Sequence, residues 1–126
     1  MATTKQLPRE DWHSYFEKFT SRHVSDTQET VTIEVLSPEI GDQIEARDVP
    51  LLGITYDPKD DLLDVFVGDT LDHLIFTPRE IYVVEEDDGF VSSLQVTRDE
   101  GVREVLQMRR GQPDVRDTEA EAVAGT

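Results

Sequence analysis

Apolar and polar residues alternate with two different periods along this chain, and the period changes near residue 25. From Pro8 to His23 the period is helical: Trp12, Tyr15, Phe16, Phe19 and His23 fall on one face, the signature of an amphipathic helix. Pro8 suits the first helical position, where its missing N–H costs nothing. Glu10 and Asp11 lie toward the positive end of the helix dipole, and Lys18, Arg22 and His23 toward the negative end. The aromatic weight of this face predicts a helix laid as a lid over a core.

From Glu29 to Arg109 the period is two. In "ETVTIEVLS" Val31, Ile33 and Val35 point one way, and Thr32 and Glu34 the other. "SPEIGDQ" is a turn, and "IEARDVPLLGITY" reads as extended. Asp57-Pro58 opens a loop, after which "LLDVFVG" places Leu63, Val65 and Val67 on one face. "HLIFT" and "REIYVVEE" flank Pro78, which implies a break or an edge position. Asp88-Gly89 marks a hairpin, followed by the strands "FVSSLQVT" and "VREVLQMR". These elements predict an α+β domain over residues 1–110. An N-terminal amphipathic helix packs on a bent antiparallel sheet or small open barrel of about six to eight strands, Sm-like or SH3-like by analogy. From Gly111 the composition turns small and acidic, so residues 111–126 are expected to be a disordered acidic tail.

The bend is written into "IEARDVPLLGITYD". Pro50 removes one ladder donor and holds Val49 extended, and Gly53 permits a bulge or a close backbone approach. Arg47 is expected to pair with a nearby acid and so fix this corner.

Composition narrows the function. With 12 basic and 28 acidic residues, the formal charge is −16. The tail holds one Arg against four acids, −3 in total, which leaves −13 on the rest. Such a charge repels nucleic-acid phosphate, so no nucleic-acid partner is expected. The absence of cysteine excludes disulfides, thiolate metal sites and a Cys nucleophile. No apolar run approaches the roughly 20 residues of a membrane span, and the N-terminus lacks an apolar signal core. No membrane association is expected, and the location is read as cytoplasmic.

Catalytic signals are sparse. His13, His23 and His73 have no second histidine three or four positions away, so no zinc pattern exists. Asp57, Asp60, Asp61 and Asp64, and Glu85 to Asp88, gather at two hairpins. The first group lacks the spacing of a calcium loop, and both read as solvated tips that blunt strand edges. No Gly-rich phosphate loop or nucleophile elbow is present. Arg103 and Arg109 share one side of the last strand and are expected to pair with acids of a neighbour. No cofactor or metal is expected.

Three segments carry a resemblance. These are "LPREDWHSYFEKFTSRH", "VTIEVLSPEIGDQIEARDVPLLGI" and "TPREIYVVEEDDGFVSSLQV", of which the second is the most specific. Together they resemble a family of small bacterial proteins of unknown function, over roughly residues 5 to 110. The resemblance implies a small, mostly β, single-domain protein and carries no catalytic residue with it.

Two functional expectations follow from different classes. The first is a non-enzymatic protein-interaction module with a basic protein partner, or a homo-oligomer, motivated by the charge and the missing catalytic motifs. The alternative is a small-ligand or enzymatic site built from Glu45, Arg47, Asp48 and His73 facing one pocket.

Overall fold

The period-two segments and one further strand at the N-terminus pair into one antiparallel sheet of eight strands, seen in a computed structural model that describes residues 1–26, 29–68 and 72–110. In chain order the elements are β1 (Thr3–Leu7), a 3-10 turn (Arg9–Asp11), α1 (Trp12–Asp26), β2 (Glu29–Ser37) and β3 (Gly41–Asp57). They continue with β4 (Leu62–Val67), β5 (His73–Phe76), β6 (Glu80–Glu85), β7 (Val91–Thr97), a 3-10 turn (Asp99–Gly101) and β8 (Arg103–Arg109). The tail expected from Gly111 onward lies outside the described residues.

The spatial order is β1-β6-β7-β8-β2-β3-β4-β5. β5 forms one edge, yet β6, its successor in sequence, lies beside the opposite edge. Thr77, Pro78 and Arg79 are the only residues between them, and so short a link spans about 10 Å. The sheet must therefore coil until its two ends approach each other, without closing. Pro78 marks the break, as its position in the sequence required.

Inward parity builds the core. Leu63 and Val65 of β4, Ile75 of β5, Ile81 and Val83 of β6, Leu94 and Val96 of β7, and Leu106 of β8 are all sealed from solvent. Trp12, Phe16 and Phe19 complete the core from α1, and Tyr15 packs at its margin. Trp12 meets Tyr56 edge-on at a centroid distance of 5.1 Å and donates from Nε1 to the Leu7 carbonyl. The lid is thus seated between β1 and the far half of β3.

The long β3 bends because it carries extra residues. Against β2, Val31 faces Val49 but Ile33 faces Ala46, so Arg47 and Asp48 together oppose Thr32. Against β4, Leu51 faces Val67 while Gly53 faces Phe66, which leaves Leu52 unpaired. Both features are β-bulges. At the second, a Cβ added to Gly53 would stand 2.8 Å from Thr20 Cγ2, so only glycine lets α1 come this close.

Three details depart from the sequence reading. Thr3–Leu7, to which the sequence pattern assigned no element, forms an edge strand on β6, with Lys5 opposite Val83 and Leu7 opposite Ile81. Its pattern is mostly exposed, so period-two alternation gave no signal. Pro8 stands before a 3-10 turn in extended conformation (ψ 145°), and the α-helix proper begins at Trp12. The Arg47 expectation is overturned. Arg47 is exposed and forms no ion pair among the described residues. Its neighbour Asp48 secures the corner instead. It adopts a positive φ of 50°, donates its backbone N–H to Thr32 Oγ1 at 3.0 Å, and lies 3.8 Å from Arg109. A bulge reverses the expected parity of the residues it contains, which is why the partner changed.

Candidate functional site

Of the four residues expected to share a pocket, Glu45, Arg47 and Asp48 lie on the exposed first half of β3. His73 opens β5 and turns inward. Its Nε2 stands 2.6 Å from Oε1 of Glu104, and Asp48 engages Arg109. No hydrogen bond or ion pair between described residues joins His73 to the other three.

Glu104 is the residue that sequence reasoning missed. It shares inward parity with Leu106 and Met108 on β8, and its side chain is 3% exposed. A lone carboxylate at such depth is costly unless it is paired. His73 reaches it from β5, and Arg98 Nε lies 3.2 Å from its second oxygen, from the turn before β8. Arg98 Nε makes no hydrogen bond of acceptable direction, so that contact is ionic in character. The cluster ties the edge strand β5 to β8 across the coiled sheet. Its signal was available in the sequence: in "REVLQMR" the acid sits in step with the apolar residues.

A second grouping occupies the outer face of β4 and β5. Because Leu63, Val65 and Ile75 point inward, Leu62, Asp64 and Phe66 of β4 and Leu74 and Phe76 of β5 point out. Leu62 stands opposite Phe76, and Asp64 opposite Leu74. Phe76 is 56% exposed and Leu74 40% exposed. Asp64 lies among them with its Oδ1 buried and without a hydrogen-bond partner among the described residues. Burial pushes its carboxyl up to about 6, and the charge of Asp72 together with a shared hydrogen bond adds to the rise.

Several other acids are engaged. Asp61 accepts from the Tyr56 hydroxyl at 2.5 Å and pairs with Arg9 at 3.2 Å, and Arg9 also donates to the Pro78 carbonyl. Burial, with Asp61 beside it, pushes the Tyr56 hydroxyl up to about 12. Tyr15 donates to Glu85 at 2.9 Å, and burial raises its hydroxyl as well. Asp88 pairs with Arg110, which holds its carboxyl below the usual range. Among the described residues no cluster of His, Asp and Glu is placed to hold a metal ion. No described helix is long and apolar enough to cross a membrane.

A coiled open sheet capped by one helix, with a polar tie inside and an apolar-acidic face outside, defines a small α+β protein. The chain belongs to a family of unknown function, DUF5335, whose model matches residues 3–115. It is 43% identical over 110 residues to an uncharacterized protein of Aquifex aeolicus (strain VF5), covering 87% of this chain and 96% of that relative. No solved structure matches.

Proposed function

We propose that this protein is a non-enzymatic interaction module of the cytoplasm that recognises a partner with a basic surface. The observation that carries this reading is how its charges are distributed. Lys5, Arg9, Arg79, Arg98, Arg109 and Arg110 are each already paired with an acid of the same chain. With those bases already engaged, the chain's acids still outnumber its bases by 28 to 12, and among the described residues acids such as Glu17, Asp42, Glu45 and Asp60 are exposed. A field of one sign speeds association with an oppositely charged surface and makes it steeply salt-dependent.

The alternative, a ligand or catalytic site at Glu45, Arg47, Asp48 and His73, finds less support, because His73 is committed to Glu104 and Asp48 to Arg109.

Affinity capture with the purified protein, at low salt and again at about 0.5 M, where the Debye length falls to about 4 Å, tests the reading. The expected result is one basic protein retained at low salt and released at high salt, its direct binding reproduced with purified components. A protein that stays monomeric by light scattering and binds no purified basic candidate contradicts it.

A further inference from the structure

The outer face of β4 and β5 joins three features. β5 is an edge strand, paired with β4 alone among the described strands. Its exposed side chains Leu74 and Phe76 continue an apolar face through Leu62 and Phe66. Within that face Asp64 holds a buried oxygen that no donor among the described residues satisfies, with Asp72 beside it and Asp57 opposite Leu62 on the same face. Edge strands are normally blunted by charge, twist or cover. Here the carboxylate sits on the inner of the two strands, and the edge itself carries leucine and phenylalanine.

We propose that the open edge of β5 takes an extended segment of a partner protein in which basic and apolar residues alternate, one Lys or Arg of that segment crossing Leu74 to meet Asp64 and Asp72. This rests on the interaction-module reading and names the surface and the chemistry of the partner.

The geometry follows from strand addition. An added strand lies about 5 Å beyond β5 and so about 10 Å from β4. Its backbone completes the unpaired edge, and alternate side chains lie on the face of Leu74 and Phe76. A Lys or Arg there lays its aliphatic stem over Leu74 and brings its charged head to Asp64.

Charge chooses the occupant. A purely apolar segment would cover Asp64 without satisfying it, at the cost of a desolvated charge. A second copy of this chain would bring the same carboxylates and its own −16 to the contact. A cation at the Asp64–Asp72 pair is complementary to both carboxyls and draws on the field of the whole molecule.

The test is fluorescence anisotropy with a labelled peptide alternating lysine and valine, and an otherwise identical peptide alternating glutamate and valine. The expected result is binding of the first only, weakened about tenfold by Asp64→Asn and by Phe76→Ser and changed less than about twofold by Glu17→Gln on the exposed side of α1. Thermal melting confirms that each variant is folded. Lysine-peptide binding that both β4–β5 variants leave intact overturns this site while the module reading stands. Absence of lysine-peptide binding overturns this site, and the capture experiment with purified basic candidates decides the module reading separately. Dimerisation abolished by Phe76→Ser identifies a second copy as the occupant and overturns the basic segment.

Discussion

Thr20 Oγ1 donates to the Ile54 carbonyl at 2.8 Å and accepts from the Ile54 N–H at 2.9 Å. One hydroxyl on α1 thus takes the place of a neighbouring strand for a single residue of β3. It does so where β2 no longer accompanies β3, since their pairing ends at Leu51. Gly53 beside it admits the methyl of the same threonine. Helix seating and strand bending are therefore one event, and the pair of positions can be tested together.

Thr20→Val strands both backbone groups of Ile54 and is expected to cost about 1–3 kcal/mol, read as a lower melting temperature. Gly53→Ala drives a methyl into Thr20 and is expected to cost about 1–3 kcal/mol. Adding Thr20→Ser, which keeps the hydroxyl and removes Cγ2, should restore part of that loss. A double variant no more stable than Gly53→Ala alone would show that the close approach is not the constraint.

Glu104→Ala leaves His73 and Arg98 facing a vacant interior and releases β5 from β8. Removing one partner of a buried ionic cluster is expected to destabilise by roughly 2 kcal/mol or more, the partial exposure of the partners keeping it below the largest such losses. Amide hydrogen exchange at His73–Phe76 should accelerate more than exchange in β6 and β7. Uniform acceleration would deny Glu104 its role as a tie.

The Asp64 carboxyl gives a pH dependence of defined sign. Its folded value, about 6, lies above its unfolded value of 3.8. The folded state therefore binds the proton more tightly, and this contribution to stability is fully present below pH 3.8 and is lost as pH rises through about 6. Asp64→Asn should accordingly stabilise the free protein at pH 7.5 and leave it nearly unchanged at pH 4, by denaturant titration at both values. A variant that is less stable at pH 7.5 would place a bound cation or donor at Asp64 already in the free protein.

At the β3 corner, Arg47→Ala should change stability by less than about 0.5 kcal/mol, since the side chain is exposed and unpaired among the described residues. Asp48→Val, which puts a β-branched residue at φ 50°, should cost about 1–3 kcal/mol. Equal losses from the two, by chemical denaturation, would return the corner to Arg47.

The fold was legible wherever burial imposed a period. Trp12, Phe16 and Phe19 declared the helix, and Leu63, Val65 and Val67 declared β4. Pro50, Gly53 and Pro78 declared a bend, a bulge and a break through backbone chemistry alone. What escaped did so for physical reasons. Thr3–Leu7 joins the sheet through main-chain hydrogen bonds, and only Leu7 at its end is buried, so side-chain pattern is silent there. The partner of Arg47 was misjudged because bulges shift parity by one residue. The polar tie was hidden because His73 and Glu104 are 31 residues apart and meet only after the sheet coils. The outer face of β4 and β5 could not be seen until it was known that β5 stands at an edge, which depends on the order of all eight strands.

The central claim is that this acidic molecule receives a basic partner on the outer face of β4 and β5. Backbone amide NMR shifts during titration with the lysine–valine peptide test it most directly. The account predicts that the shifts concentrate at Leu62, Asp64, Phe66, Leu74 and Phe76 and fade as salt is raised toward about 0.5 M. Shifts spread evenly over the acidic tips at Asp57–Asp61 and Glu85–Asp88, or no shifts at all, would contradict it.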